Sequence, residues 1–138
     1  MKQVTSIKMK SQTFIIVIAI LLIGSKSFSQ EKTDIVGTWK GTSICQVKNS
    51  PCHDETVVYY ITKLDSANLF KVSANKIVNN AEENMGDLNL TYDPSTHTLL
   101  SIDTERGDTW KFIVKGKKME GTLVYKKDLY RIINVTKE

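Results

Sequence analysis

From Ile35 to the C-terminus, apolar residues fall at every second position, and turn-forming residues interrupt them about every ten to twelve positions. A side chain that changes face at each step marks an extended strand, because a helix would scatter the same pattern around its circumference. Trp110, Phe112 and Val114 alternate with Lys111, Ile113 and Lys115. After a turn at Gly116 and Lys117, Met119, Gly121, Leu123 and Tyr125 alternate with Glu120, Thr122 and Val124, which makes a hairpin. A tight turn near Lys127 and Asp128 follows. Leu129, Arg131, Ile133 and Val135 then alternate with Tyr130, Ile132, Asn134 and Thr136, so an arginine falls on the apolar face.

Upstream, Thr56 to Lys63, Leu69 to Lys76, Asp87 to Tyr92 and Thr98 to Asp103 read as further strands. They are bounded by Asp65 to Asn68, Asn79 to Asn84, Asp93 to Thr96 and Glu105 to Gly107. With the opening segment Val36 to Val47, this makes eight strands. Eight short consecutive strands predict an all-β domain, an eight-stranded antiparallel up-and-down barrel in which closure removes both edges. The stretch Asn79 to Asn84 (NNAEEN) is long enough for a crossover or a single helical turn, so a two-sheet sandwich is the alternative.

The first residues have a different character. A basic start (Lys2, Lys8, Lys10), an apolar run from Phe14 to Ile23 and a small-residue exit at Ser27 and Ser29 form a secretory signal peptide over residues 1–29, cut before Gln30. The apolar run holds ten residues (FIIVIAILLI), against about 20 needed to span a membrane as a helix, so no stable membrane anchor is expected after cleavage. No cysteine lies between Ile20 and Glu31 to carry a lipid. Residues 30–138 are expected to be one exported domain, periplasmic or extracellular.

The formal charge of +4 belongs to that leader: removing Lys2, Lys8, Lys10 and Lys26 leaves 15 basic and 15 acidic residues. A neutral domain has no global attraction for phosphate backbones or anionic lipid, and nucleic acid is not expected as a partner. Cys45 and Cys52 are the only cysteines, and in an oxidising compartment a pair seven positions apart reads as a disulfide closing a turn through Lys48, Asn49, Ser50 and Pro51. A metal or redox role is disfavoured although His53 follows Cys52. The spacing is not CxxC, and His97 is the only other histidine.

The domain begins Gly37-Thr38-Trp39-Lys40-Gly41, and here the sequence resembles the lipocalin-like members of the calycin superfamily, whose first strand opens with Gly-x-Trp. The resemblance implies a barrel whose closed end is capped by an arginine lying across that tryptophan, and Arg131 on the last strand matches it. Stacked there, a guanidinium would gain a cation–π contact of about 0.5 to 2 kcal/mol. The bacterial small lipocalin-like proteins and avidin-sized barrels are nearest in length.

With the bulky faces inward, Trp39, Tyr59, Phe70, Val72, Leu90, Trp110, Phe112, Leu123 and Tyr125 would line the lumen. An eight-stranded barrel is just wide enough to be filled by its own side chains or to hold one small ligand. Gly41, Ser43, Ala74 and Gly121 would leave a pocket if they cluster at one level. The expectation is a secreted binding protein of lipocalin type holding a small apolar or amphipathic ligand. The alternative is a non-enzymatic envelope interaction or structural module with a filled barrel, meeting a protein partner through Tyr60, Ile113, Val124, Tyr130 and Ile132.

An enzyme is not expected, and neither a cofactor nor a metal is called for. The chain has no Gly-x-Ser-x-Gly elbow, HExxH pair or phosphate-cradling glycine loop. The acidic turn Asp103 to Asp108 lacks regular calcium-ligand spacing and contains Arg106. The glycosylation patterns Asn89-Leu90-Thr91 and Asn134-Val135-Thr136 fall within predicted strands.

Overall fold

A computed structural model describes residues 34–138; the segment read as a signal peptide, and the expected cut before Gln30, lie outside the described residues. Eight strands follow in chain order: β1 (Gly37–Cys45), β2 (Glu55–Lys63), β3 (Leu69–Val78), β4 (Ala81–Asp93), β5 (Thr98–Asp103), β6 (Asp108–Lys115), β7 (Lys118–Tyr125) and β8 (Asp128–Lys137). Each pairs antiparallel with the next, and β8 pairs with β1, so the sheet closes into an up-and-down barrel. That closing ladder runs from Trp39 opposite Lys137 to Cys45 opposite Arg131. It excludes the two-sheet sandwich.

The stretch read as a loop or helical turn between Asn79 and Asn84 is mostly strand. Asn79 and Asn80 take positive φ values of 51° and 63°, the conformation a two-residue hairpin turn requires and asparagine tolerates, so β4 starts immediately at Ala81. Two bulges interrupt the ladders. One, between Ala74 and Asn75 of β3, leaves Met85 of β4 without a partner; the other, between Leu123 and Val124 of β7, leaves Tyr130 of β8 without one.

The alternation places Trp39, Tyr59, Phe70, Val72, Leu90, Leu99, Phe112, Met119, Ile133 and Val135 in one buried core. Two glycines let neighbours into it. A Cβ at Gly41 would collide with the Asn134 carbonyl and Val135 Cα, so β1 and β8 meet closely only because position 41 carries no side chain. At Gly121 a Cβ would overlap the Phe112 ring, which occupies that space. Small residues at these two positions therefore do not leave a pocket: backbone fills one and an aromatic ring the other.

The barrel wall is not uniform. β4 has 13 residues and pairs with β3 at ten positions, but it meets β5 only at Thr91–Leu100, Tyr92–Leu99 and Asp93–Thr98. Ser101 to Asp103 of β5 pair with β6 alone. A seam therefore separates β4 from β5 over the half of the barrel that carries Ala81 and Asp103.

Candidate functional site

The two ends of the barrel are built differently. At the Trp39 end, the chain entering β1 lies across the opening: Ile35 is buried, and its carbonyl accepts a hydrogen bond from the Trp39 indole at 2.9 Å. Lys137, opposite Trp39 in the ladder, donates to the Asp34 carboxylate at 2.8 Å and to the Asp34 carbonyl at 3.0 Å. Phe70, Leu90, Leu99, Val114, Met119 and Val135 complete a packed, apolar end.

The expected Trp39–Arg131 cap does not form here. Arg131 is opposite Cys45, six positions further along β1 than Trp39, which at about 3.3 Å per residue is roughly 20 Å away. The error came from counting strands without their register: neighbouring first and last strands bring residues together only at matched positions, and Lys137 is the cation beside Trp39. Arg131 instead lies 5.9 Å from the ring of Tyr130.

At its own end, Arg131 organises a polar mouth. Its Nη1 donates to the Ser43 hydroxyl at 3.1 Å, the Ser43 carbonyl at 3.3 Å and the His53 carbonyl at 3.2 Å, and lies 3.3 Å from Glu55 Oε2. Both charged side chains are only 12 % exposed. Such a pair is held because each charge has further partners; Lys76 approaches Glu55 Oε1 at 3.9 Å. The hydrogen bonds and the ion pair of Arg131 with other described residues all run through Nη1. Arg131 and Lys76 thus flank one carboxylate on this wall of the mouth.

Tyr59 reaches toward the same pair from β2. Burial pushes its phenol well above the ordinary range, the Arg131 charge opposes the shift and the Glu55 charge adds to it. Across the barrel, the half-buried Trp110 packs against Phe112, their rings nearly parallel with centroids 6.3 Å apart. Asp108, 14 % exposed, pairs with Arg106 at 3.3 Å through Oδ2, while its Oδ1 is buried and has no hydrogen-bond partner among the described residues.

Among the expected lumen residues, Trp39, Tyr59, Phe70, Val72, Leu90, Phe112 and Leu123 are buried and Trp110 is half-buried. Tyr125 is not enclosed. It is the last residue of β7, 38 % exposed at the rim, where it packs edge-on against Tyr130. Glu55, Lys76 and Asp108 were missed. Their signal was strand parity, since each stands two positions from an inward residue: Val57, Ala74 and Trp110 respectively.

Cys45 and Cys52 are joined in a disulfide, so neither offers a thiolate to a metal. The loop it closes borders the mouth, for Gln46 N–H donates to the Tyr130 carbonyl and Cys45 N–H to Asp54. Within the acidic turn Asp103 is satisfied locally: it accepts from the backbone of Glu105 and Arg106 and from the Arg106 guanidinium.

Comparison with protein-family models, with curated proteins and with solved structures finds no match for this chain. The class stands on geometry: an eight-stranded antiparallel up-and-down barrel, compatible with a lipocalin-like fold, stapled by one disulfide that is consistent with an oxidising environment.

Proposed function

We propose that this is an exported, lipocalin-like, non-enzymatic binding protein that takes one small amphipathic molecule at the Arg131 mouth. The observation that carries the reading is the contrast between the ends: one closed by Ile35, Trp39 and Lys137, the other carrying the partly exposed rings of Trp110 and Tyr125 at the end of the barrel that holds the Arg131 guanidinium. An aromatic platform next to a planar cation suits a molecule with an apolar body and an anionic head. The ring of Phe112 lies over Gly121 on the inner wall, which supports a ligand held at the mouth. The same packing favours a second reading, an envelope interaction module with a filled barrel.

The test is a fluorescence titration of the mature protein with anilinonaphthalene sulfonate, an anionic aromatic probe. The mouth reading expects saturable binding that falls about tenfold in Arg131→Gln, the loss of roughly one charge-assisted contact. Native mass spectrometry of protein purified from its own host would then identify a retained compound. A protein that arrives empty and takes up no probe would favour the interaction module.

A further inference from the structure

Closing a barrel ordinarily satisfies every strand edge, yet this one leaves an edge open along the seam between β4 and β5. From Ala81 to Leu90, β4 pairs on its β3 side only, and facing it Ser101 to Asp103 pair only with β6. Backbone donors and acceptors on both sides of the seam therefore face solvent. The space is open as well: a Cβ built at Gly86 would meet no atom within 4 Å, and every residue from Ala81 to Asp87 is exposed.

The side chains around the seam define what could enter. Toward the core are Leu88, half-buried, and Leu90, fully buried. On the outer surface Met85 and Ile102 are 43 % and 61 % exposed, a large apolar exposure for a strand pair. The charge is of one sign: Glu82, Glu83 and Asp87 lie on β4 and Asp103 on β5, and neither segment contains a lysine or arginine. Lys71 answers Asp87 and Arg106 answers Asp103. Glu82 is held by the neutral Tyr60 and Asn75, and Glu83 has no ion pair among the described residues. Glu82 and Glu83 therefore form no salt bridge among the described residues, although the Lys40 charge acts on Glu82 and Lys76, opposite Glu83 in the ladder, lies 3.9 Å from Glu55.

Like charge argues against a second copy of the chain, because antiparallel pairing of two β4 edges would set acid against acid. The Met85 bulge further confines regular pairing to Gly86 and beyond. We propose that the seam is a strand-addition site for an extended segment of another protein in which basic and apolar residues alternate. The added strand hydrogen-bonds to Gly86–Leu90, sets its apolar residues toward Leu88 and its lysines or arginines on the outer face, beside Asp87 and toward Glu82. This site does not depend on the mouth, and the two are separable by mutation.

The experiment uses the mature protein and a short fluorescein-labelled peptide alternating lysine and valine, followed by anisotropy at low salt and by amide hydrogen exchange. Binding is expected, with new protection at Gly86–Leu90, and the variant carrying Glu82→Gln and Asp87→Asn binds about five- to tenfold more weakly. Arg131→Gln leaves peptide binding unchanged, and circular dichroism establishes that each variant is folded. The proposal is overturned by equal binding of a glutamate–valine peptide, by protection confined to another strand, by a wild-type affinity in the doubly neutralised variant, or by dimerisation through β4.

Discussion

Replacing Gly121 with alanine tests the packing on which the location of the binding site depends. Gly121 faces Phe112 on one side of β7 and Ile133 on the other, and an added methyl group would overlap Cδ1 and Cε1 of the Phe112 ring. The ring has little freedom to retreat: it is 2 % exposed, meets Tyr59 edge-on at 6.1 Å and stacks with Trp110 at 6.3 Å. Overpacking of this kind costs about 1 to 3 kcal/mol, while removing a glycine from a strand interior returns about 0.5 to 1 kcal/mol. The net expectation for Gly121→Ala is a loss of about 1 to 2 kcal/mol. With a urea m-value of about 1 to 1.5 kcal/mol per molar, the unfolding midpoint falls by about 1 M. Phe112→Leu removes the obstructing edge, so the double variant should recover part of the loss, with a coupling of about 1 kcal/mol. A neutral or stabilising Gly121→Ala would refute the reasoning: the ring would not occupy the space above position 121, and the ligand site would extend into the barrel centre.

Two further outcomes follow from the mouth and its loop. Replacing both Cys45 and Cys52 with serine should lower stability by about 2 to 3 kcal/mol, from the closure entropy of a seven-residue separation, read as a drop in thermal midpoint; an unchanged midpoint would mean the loop is equally restricted without its bridge. Since the phenol of Tyr59 is raised above its ordinary value of 10.0, the unfolded chain releases that proton first; its contribution is fully present below pH 10 and is lost as the pH rises further. In an absorbance titration Tyr59 should ionise only as the barrel unfolds, and its ionisation in a folded protein would contradict its burial.

Strand parity was legible because it is local. Whether Phe112 points in and Lys111 out depends only on the backbone period, and the positions from Thr98 to Asp103 are those the alternation predicts. The hairpin at Asn79 and Asn80 was not legible in the same way. NNAEEN holds no apolar residue larger than Ala81, so no apolar period marks the start of β4, and the strand there is defined by pairing with β3. The charged mouth lay between these cases: Arg131 was visible as an anomaly on an apolar face, but its partners Ser43, His53 and Glu55 are 76 to 88 positions away in the sequence.

The sequence by itself determined that this chain forms eight strands with a buried and a wet face, and that two cysteines close a short loop, because periodicity and turn chemistry act over a few residues. Only the tertiary structure decided which ends of β1 and β8 meet, and hence that Lys137, not Arg131, stands beside Trp39. It also decided that Gly121 is filled by Phe112, and that β4 and β5 part after three pairs. Register, filling and seams are properties of strands distant in sequence, set when the barrel closes and every inward side chain must share one volume.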